Sequence, residues 1–392
     1  LAVKRGKQVW LARSLGRPLR YFMAKQEAGP LLVVAERIDQ IHEYLRTLGL
    51  HEQFRPAYTR MVPAHYVMRL DVVGCPDPNP RLERFYTPSA DPLPADIDAI
   101  GAAYIGAMAE QLRRWVQTLP DDEPIGVLLS GGIDSGSVFL TLEHVLRATG
   151  RSPARLKAFT LDVEGGSDAV QAREFLAPFG LDFHLETIRA SADDVDVRET
   201  VRVIEDYKQR DVEAAAMVLL LCRKLRERYP EWRWLVDGDG GDENLRAYPI
   251  EENPELTIRS VLGNHLLYHE GWGVDKIKHS RTYSGGLSRG AVRCHAPLTR
   301  YGFSGFSPYT MPDVVDVAER IPFVELTNWS HEKLYALKGQ VVAAGVRHLT
   351  GREMPVFAKK RMQEGSVSAE AFDHVFAGGE PEWRRYFASL YG

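Results

Sequence analysis

Two short segments combine glycine with carboxylate and hydroxyl side chains. The first is Ser130-Gly131-Gly132-Ile133-Asp134-Ser135, and the second is Gly238-Asp239-Gly240-Gly241-Asp242-Glu243. Adjacent glycines let backbone N–H groups approach a ligand closely. Carboxylates in such loops bind Mg²⁺, pair with a cation or transfer a proton. Together the two segments predict a site for the phosphates of a nucleotide.

The first segment lies between a predicted strand and a predicted helix. Residues 125–129 form a short apolar run typical of a buried strand, and apolar residues recur at helical spacing over 138–146. We place Asp134 and Ser135 at the capped N-terminus of that helix, where the partial positive charge favours phosphate. The common phosphate loop requires Gly-Lys-Ser/Thr, and no lysine follows these glycines. The pattern Ser-Gly-Gly-x-Asp-Ser instead resembles the loop of the ATP pyrophosphatases, which split ATP into AMP and pyrophosphate.

Predicted strands and helices alternate around both segments. Further strands are predicted over residues 156–162, 182–188 and 232–237, and helices over 95–118, 167–179, 193–205 and 212–228. This alternation favours an α/β fold with a parallel sheet covered by helices on both faces. Both glycine-rich segments follow strands, and ligands bind such sheets at the carboxyl ends of strands. From residue 251 onward the pattern is mainly helical.

The first 90 residues have a different pattern, with predicted strands over 8–13, 19–22 and 31–35 and a short helix over 37–48. A proline-rich stretch over 88–94 has the composition of a linker. A chain of 392 residues is long for one compact core. We therefore predict a small β-rich domain over residues 1–90 and a larger α/β domain over 91–392.

The composition narrows the classes of function. A net charge of −4 gives no electrostatic case for binding nucleic acid or an anionic membrane. The longest apolar run is too short to span a bilayer, and residues 1–16 lack a signal peptide. The three cysteines, Cys75, Cys222 and Cys294, are far apart, which argues against a disulfide framework or a zinc site. These features predict a cytoplasmic protein.

The two glycine-rich segments together resemble the synthetase domain of the class B asparagine synthetases and their β-lactam synthetase relatives. The resemblance extends over about residues 125–365 and implies the ATP pyrophosphatase (adenine nucleotide α-hydrolase-like) fold. The family also has a lysine in a segment that ends in Asp/Glu-Gly. Here that segment is Ala358-Lys359-Lys360-Arg361-Met362-Gln363-Glu364-Gly365. Counting back from Glu364-Gly365 assigns the family lysine to Lys359, with Lys360 as the competing register.

The resemblance implies ATP and Mg²⁺ as cofactors. It assigns the nucleotide to Ser130, Gly131, Gly132, Asp134, Ser135, Phe159, Leu161 and Gly238. It assigns Mg²⁺ to Asp134 and Asp242. Asp239 matches the family position of an acidic residue that handles the amine, and Lys359 would stabilise charge on the adenylate.

Three functions follow from this resemblance. The first is a ligase that adenylates a carboxylate and joins it to ammonia or another amine. The second is an intramolecular cyclase of the β-lactam or macrolactam type, although the β-lactam synthetases have tyrosine at the position of Asp239. The third is a catalytically inactive nucleotide-binding partner subunit.

The sequence departs from the family pattern in two places. No cysteine precedes Cys75, and only the late part of the family's N-terminal glutaminase domain has a counterpart in residues 1–70. We expect a degenerate, separated or truncated glutaminase region, and a partner chain or a homodimer that covers its exposed strand edges. The second departure lies over residues 279–308, where Arg293-Cys294-His295-Ala296-Pro297-Leu298 replaces a compact family segment. That region should shape the carboxylate pocket. The stretches 206–208 and 211–213 either line the same pocket or simply form a charged helix start.

Overall fold

A computed structural model describes residues 1–74, 79–270, 291–358 and 362–392. Lys359, Lys360 and residues 279–290 of the departing segment therefore lie outside the described residues. Within the described ranges, the strands are β1 (Ala2–Arg5), β2 (Gln8–Ala12), β3 (Arg20–Gln26), β4 (Gly29–Ala35), β5 (Arg60–Met61), β6 (Tyr66–Asp71), β7 (Arg81–Arg84), β8 (Ile125–Leu128), β9 (Leu156–Val163), β10 (Leu185–Ala190), β11 (Trp234–Val236) and β12 (Ser304–Phe306).

The helices of the same ranges lie mainly in the C-terminal three quarters of the chain. They are α1 (Ile38–Thr47), α2 (Ile97–Gln117), α3 (Ile133–Ala148), α4 (Asp168–Leu176), α5 (Val197–Ile204), α6 (Gln209–Arg228), α7 (Gly241–Asn244), α8 (Ile258–Gly263), α9 (Leu267–Glu270), α10 (Ala296–Arg300), α11 (Pro312–Glu319), α12 (Phe323–Thr327), α13 (His331–Thr350), α14 (Met362–Gly365), α15 (Ala369–Val375) and α16 (Gly379–Ser389). A π-helical turn, Ala291–His295, precedes α10.

A parallel sheet forms the centre of the larger part of the molecule. In the described residues its strand order is β10-β9-β8-β11-β12, and every neighbouring pair is parallel. Val127 of β8 lies between Ala158 of β9 and Val236 of β11. This confirms the predicted α/β class. The short strand β12 was not predicted, because Ser-Gly-Phe has no pattern of its own and becomes a strand only by pairing with β11.

Several predicted element boundaries were wrong, and two of them show why. Asp134 does not cap α3: the N-cap residue is Gly132, which offers no side chain, and Asp134 lies inside the first turn. The strand predicted from residue 182 begins at Leu185, because Asp182–His184 form a 3₁₀ turn. Both errors come from reading local residue preferences where tertiary packing sets the boundary.

Helices α2, α3 and α13 pack together beside the sheet. A Cβ on Gly101 of α2 would lie 2.6 Å from the backbone nitrogen of Gly345 in α13, so this close crossing requires glycine. Ser330 caps α13 by accepting a hydrogen bond from the Lys333 N–H, and Gly351 ends it at a φ of 71°. The crossing and the cap together fix which face of α13 points toward the sheet.

The N-terminal region is a small antiparallel β structure, with sheet orders β1-β2-β6-β7 and β4-β3-β5 in the described residues. It is anchored to the rest of the chain by Glu205, which is buried and has a φ of 53°. The Glu205 carboxylate lies 2.8 Å from Arg20 and accepts a hydrogen bond of 2.6 Å from the N–H of Ile38. Among the described helices, none combines the length and apolar character needed to cross a bilayer.

Candidate functional site

A cavity of about 690 Å³ lies where β8, β9 and β11 end. Its lining includes most of the residues that the sequence singled out: Ser130, Gly132, Asp134, Ser135, Phe159, Leu161, Gly238, Asp239 and Asp242. Residues from three separate strand ends are thus brought to one place, as expected for a parallel sheet. Gly131 lies behind this surface. Its φ is +74°, and a Cβ there would lie 2.6 Å from the backbone nitrogen of Ala172 in α4.

The segment from Ser130 to Ser135 is held by its own hydroxyl groups. The N–H of Ser130 donates to Ser135 Oγ at 3.2 Å, and the N–H of Gly132 donates to Ser130 Oγ at 3.3 Å. Gly132 then starts α3, so the positive end of the helix faces the cavity. This arrangement suits an anionic ligand.

The two glycine-rich segments touch each other. A Cβ on Gly238 would lie 2.7 Å from the backbone nitrogen of Ser135, and a Cβ on Gly241 would collide with Asp134 Oδ1. The two segments therefore need glycine at these positions for contact as well as for flexibility. The contact brings Asp134 and Asp242 to the same point of the cavity wall.

Lys338 of α13 joins these two carboxylates. Its Nζ lies 2.5 Å from Asp134 Oδ2 and 2.5 Å from Asp242 Oδ1. Burial lowers the pKa of Lys338, but the two carboxylates outweigh burial and raise the pKa above its usual value. The lysine is therefore charged, and it contributes a fixed cation to the cavity wall.

Sequence reasoning missed Lys338, although a signal was present. The buried residues Leu334, Leu337, Val341 and Val342 recur at the spacing of one helical face, and Lys338 occupies that face. A lysine at a core position is rare unless it is paired. Its position therefore predicts a carboxylate partner, and the two acidic glycine-rich segments offer candidates for that partner.

Asp134 and Asp242 supply carboxylate oxygens close together on the cavity wall. Their carboxylates converge on a single cationic atom, Lys338 Nζ. Hard oxygen ligands of this type are the ones that Mg²⁺ prefers. The residues present therefore fit the predicted metal ion.

Asp239 lies on the cavity wall near a second acid, Asp237. Burial raises the pKa of Asp239 to about 6, although a side-chain interaction with Cys294 opposes this effect. Burial and the neighbouring Asp239 raise the pKa of Asp237 well above its usual range. Asp237 accepts hydrogen bonds from the Asp239 N–H at 3.0 Å and from Ser307 Oγ at 2.9 Å. Asp239 is therefore the member of the pair that ionises near neutral pH.

Arg293 and Cys294 line the cavity. They belong to the segment 279–308, where the sequence departs from the family pattern. Arg293 donates to Asp211 through Nε, at 2.8 Å, and its Nη2 lies 2.8 Å from the same oxygen. Asp211 lies in the first turn of α6, so the stretch 211–213 reaches the cavity through this arginine. Nearby, the Tyr248 hydroxyl donates to Glu243 at 2.6 Å.

The C-terminal segment flanks the cavity on both sides of the undescribed residues 359–361. Ala358, Glu364 and Ser366 all line it. The segment is tied to the end of β9, because the N–H of Val163 donates to the Ser366 carbonyl at 2.9 Å. A Cβ on Gly365 would collide with the Asp168 carboxylate, which explains the glycine after Glu364. The placement of the catalytic lysine at Lys359 or Lys360 stays a prediction.

Comparison with known proteins gives a consistent result. Residues 107–286 match the family model described as asparagine synthase. Asparagine synthetase (glutamine-hydrolyzing) of Sandersonia aurantiaca is 28% identical over 220 residues, which cover 53% of this chain and 37% of the relative. The corresponding protein of Asparagus officinalis is 26% identical over 212 residues, covering 53% and 32%. Asparagine synthetase 1 of Lotus japonicus is 29% identical over 137 residues, covering 34% and 23%.

The match to this chain thus covers 23–37% of the length of these curated relatives. The matched stretch contains both glycine-rich segments, the strands β8 to β11 and the carboxylates that meet at Lys338. The parallel sheet has the form expected for this domain. Residues 107–286 are therefore a synthetase domain of the asparagine synthetase family.

Proposed function

We propose that the protein is a Mg-ATP-dependent ligase that adenylates a carboxylate, releases pyrophosphate and transfers the acyl group to ammonia or another amine. One observation carries the proposal. The Ser130–Ser135 segment, the carboxylates of Asp134 and Asp242 and the buried Lys338 meet in one cavity that Asp239 also lines. The asparagine synthetase relatives support this class of reaction.

The reaction has two steps. A carboxylate resists attack by an amine because the leaving group would be an oxide. In the first step a carboxylate oxygen attacks the α-phosphorus of ATP, the bond to the β-phosphate oxygen breaks, and pyrophosphate leaves. In the second step the amine nitrogen attacks the acyl carbon, loses a proton and expels AMP, which leaves an amide.

The residues of the Asp134 side serve the first step. Backbone N–H groups from Ser130 to Ser135 bind the pyrophosphate, and Lys338 holds positive charge beside it. Asp134 and Asp242 would hold Mg²⁺, which when bound neutralises charge on the departing pyrophosphate. Phe159 and Leu161 of β9 line the part of the cavity that would receive the adenine and ribose.

Asp239 serves the second step. It accepts the proton that the attacking nitrogen loses, and its pKa of about 6 leaves it ionised at neutral pH. Lys359 stabilises charge on the adenylate and on the tetrahedral intermediate, a role supported by the cavity-lining residues on either side of it. The nitrogen donor is ammonia or a primary amine, supplied free or by a partner chain.

The test is pyrophosphate release from ATP with a panel of carboxylic acids, in the presence and absence of an amine. We expect at least one acid to provoke release, and Asp134→Ala to abolish it. Asp98→Asn is the control, because this carboxylate is exposed and pairs with Arg347 on the surface. A panel with no active acid, or a fully active Asp134→Ala enzyme, contradicts the proposal.

The lysine assignment has its own test. Lys359→Ala should lower the rate of amide formation by about 10²–10³ through loss of one electrostatic group. Lys360→Ala should leave the rate nearly unchanged. Steady-state rates of AMP formation compare the two variants, and the opposite ranking would move the assignment to Lys360.

A further inference from the structure

We propose that Cys294 is a positioning residue for Asp239: its thiol holds the carboxylate in the orientation from which it takes the proton of the attacking amine. The inference rests on the function proposed above, but part of its test does not depend on catalysis. It concerns the segment in which the sequence departs most from the family pattern.

The first observation is a cluster of three side chains. The Cys294 sulfur and one carboxylate oxygen each from Asp237 and Asp239 lie within 4.8 Å of one another. Cys294 and Asp237 are buried, whereas Asp239 is partly exposed. All three line the cavity, so the thiol meets the Asp239 carboxylate at the wall that a substrate must approach.

The second observation is the distribution of protons among these groups. Burial and the nearby carboxylates raise the pKa of the Cys294 thiol well above its usual value, so the thiol keeps its proton and can donate it. Burial and the neighbouring Asp239 likewise raise the pKa of Asp237 well above its usual value. The charged neighbours of Asp239 are Asp242 and Glu243, which disfavour its ionised form, and Arg293, which favours it.

Asp239 Oδ2 is buried and has no hydrogen-bond partner among the described residues. A buried carboxylate oxygen with no donor to stabilise its negative charge has a raised affinity for a proton. A metal ion bound by the same three groups would require Asp237 and Cys294 to lose their protons, which their burial opposes.

The third observation is the element that carries the cysteine. Cys294 lies in the π-helical turn Ala291–His295, and π turns are rare and frequently found at functional sites. The preceding residue, Arg293, fixes this turn to α6 through its two contacts with Asp211. The thiol is therefore presented to Asp239 by an anchored turn.

The first experiment needs no catalysis. Alkylation of Cys294 by iodoacetamide at pH 8 is followed by peptide mass spectrometry in the wild-type protein and in Asp239→Asn. Removal of the carboxylate charge should speed alkylation about threefold to tenfold, because the thiolate is the reactive form. Asp98→Asn, which changes an exposed carboxylate paired with Arg347, is the control and should leave the rate unchanged. Equal alkylation rates in the wild type and in Asp239→Asn would contradict the proposed interaction between the thiol and the Asp239 carboxylate.

The second experiment uses the pH profile of amide formation. In Cys294→Ala the loss of the thiol interaction should raise the pKa of Asp239, so the acid limb moves to higher pH and the rate at neutral pH falls by up to about a hundredfold. Cys294→Ser should restore the profile, and Cys222→Ser, which removes the buried thiol of α6, should not alter it. ATP–pyrophosphate exchange should be unchanged throughout.

An acid limb that stays in place in Cys294→Ala overturns the inference. A different result separates it from the proposed function. If alkylation senses Asp239 but no acid provokes pyrophosphate release from the wild-type protein, the ligase assignment fails while the contact between thiol and carboxylate stands.

Discussion

The two sides of the cavity differ in how their charged side chains are paired. On the side of Asp134, a single buried lysine joins carboxylates from two different segments. On the side of Arg293, the arginine is paired with Asp211, and Asp239 retains an oxygen without a partner among the described residues. The first arrangement suits a ligand of constant shape and charge, such as pyrophosphate. The second suits a proton transfer whose partner is the variable substrate.

The two sides also differ in how they are built. The Asp134 side depends on backbone contact between two glycine-rich segments, which leaves little freedom for change. The Arg293 side is built from a π-helical turn and the first turn of α6, joined by side chains. Side-chain contacts can be exchanged without moving the backbone. We therefore expect substrate choice to differ among relatives at the Arg293 side and nucleotide binding to be retained at the other.

Among substitutions that test this difference between the two sides, we expect the largest loss of activity from one on the Arg293 side. Asp239→Asn should lower amide formation by about 10³, the middle of the range for a lost general base. It should leave ATP–pyrophosphate exchange nearly intact, because the first step does not use this group. In the wild-type protein the rate should fall as the pH drops through about 6, where Asp239 gains a proton. Equal loss of both activities in the variant would contradict the division of labour.

Lys338→Met tests the Asp134 side. Without the lysine, two neighbouring carboxylates face each other, so the free energy of unfolding should fall by about 3 kcal/mol and pyrophosphate release by about 10²–10³. Added Mg²⁺ should recover part of the lost stability, measured by urea unfolding. Lys333→Met, on the exposed face of the same helix, is the control and should unfold like the wild type. An unchanged unfolding curve for Lys338→Met would remove the lysine from this cluster.

A smaller effect is expected from a single added methyl group. In Gly241→Ala the new Cβ would collide with Asp134 Oδ1, and the carboxylate must move. Misplacement on this scale should lower pyrophosphate release by up to about a hundredfold with little change in fold. Gly263→Ala is the matched control, since no atom lies within 4 Å of its added Cβ. Similar rates for the two variants would show that the contact between the segments is not required.

Much of this site could be predicted from the sequence because the relevant residues are neighbours in the chain. Ser130 to Ser135 and Gly238 to Glu243 each form one segment, and each follows a predicted strand. Parallel strands end at the same edge of a sheet, so the two segments were expected to meet. The β-rich character of the N-terminal region was confirmed for the same kind of reason, because its strands and turns are local patterns.

Other features depended on distant contacts. Lys338 is 204 residues from Asp134 in sequence, and α13 turns it toward the cavity only because α13 crosses α2 at Gly101 and Gly345. The strand β12 exists only through its pairing with β11. The boundary at Gly132 likewise follows from the packing of the loop.

The sequence by itself predicted which residues would bind phosphate and which would bind a divalent cation, and it predicted the parallel sheet that brings them together. Local patterns are sufficient for this, because strands, helices and glycine turns are encoded over a few residues. Only the tertiary structure decided which charges are paired and which are left for a substrate. It placed Lys338 between two carboxylates and the Cys294 thiol beside Asp239. Such pairings are set by the crossing of helices far apart in the chain, and no local pattern encodes them.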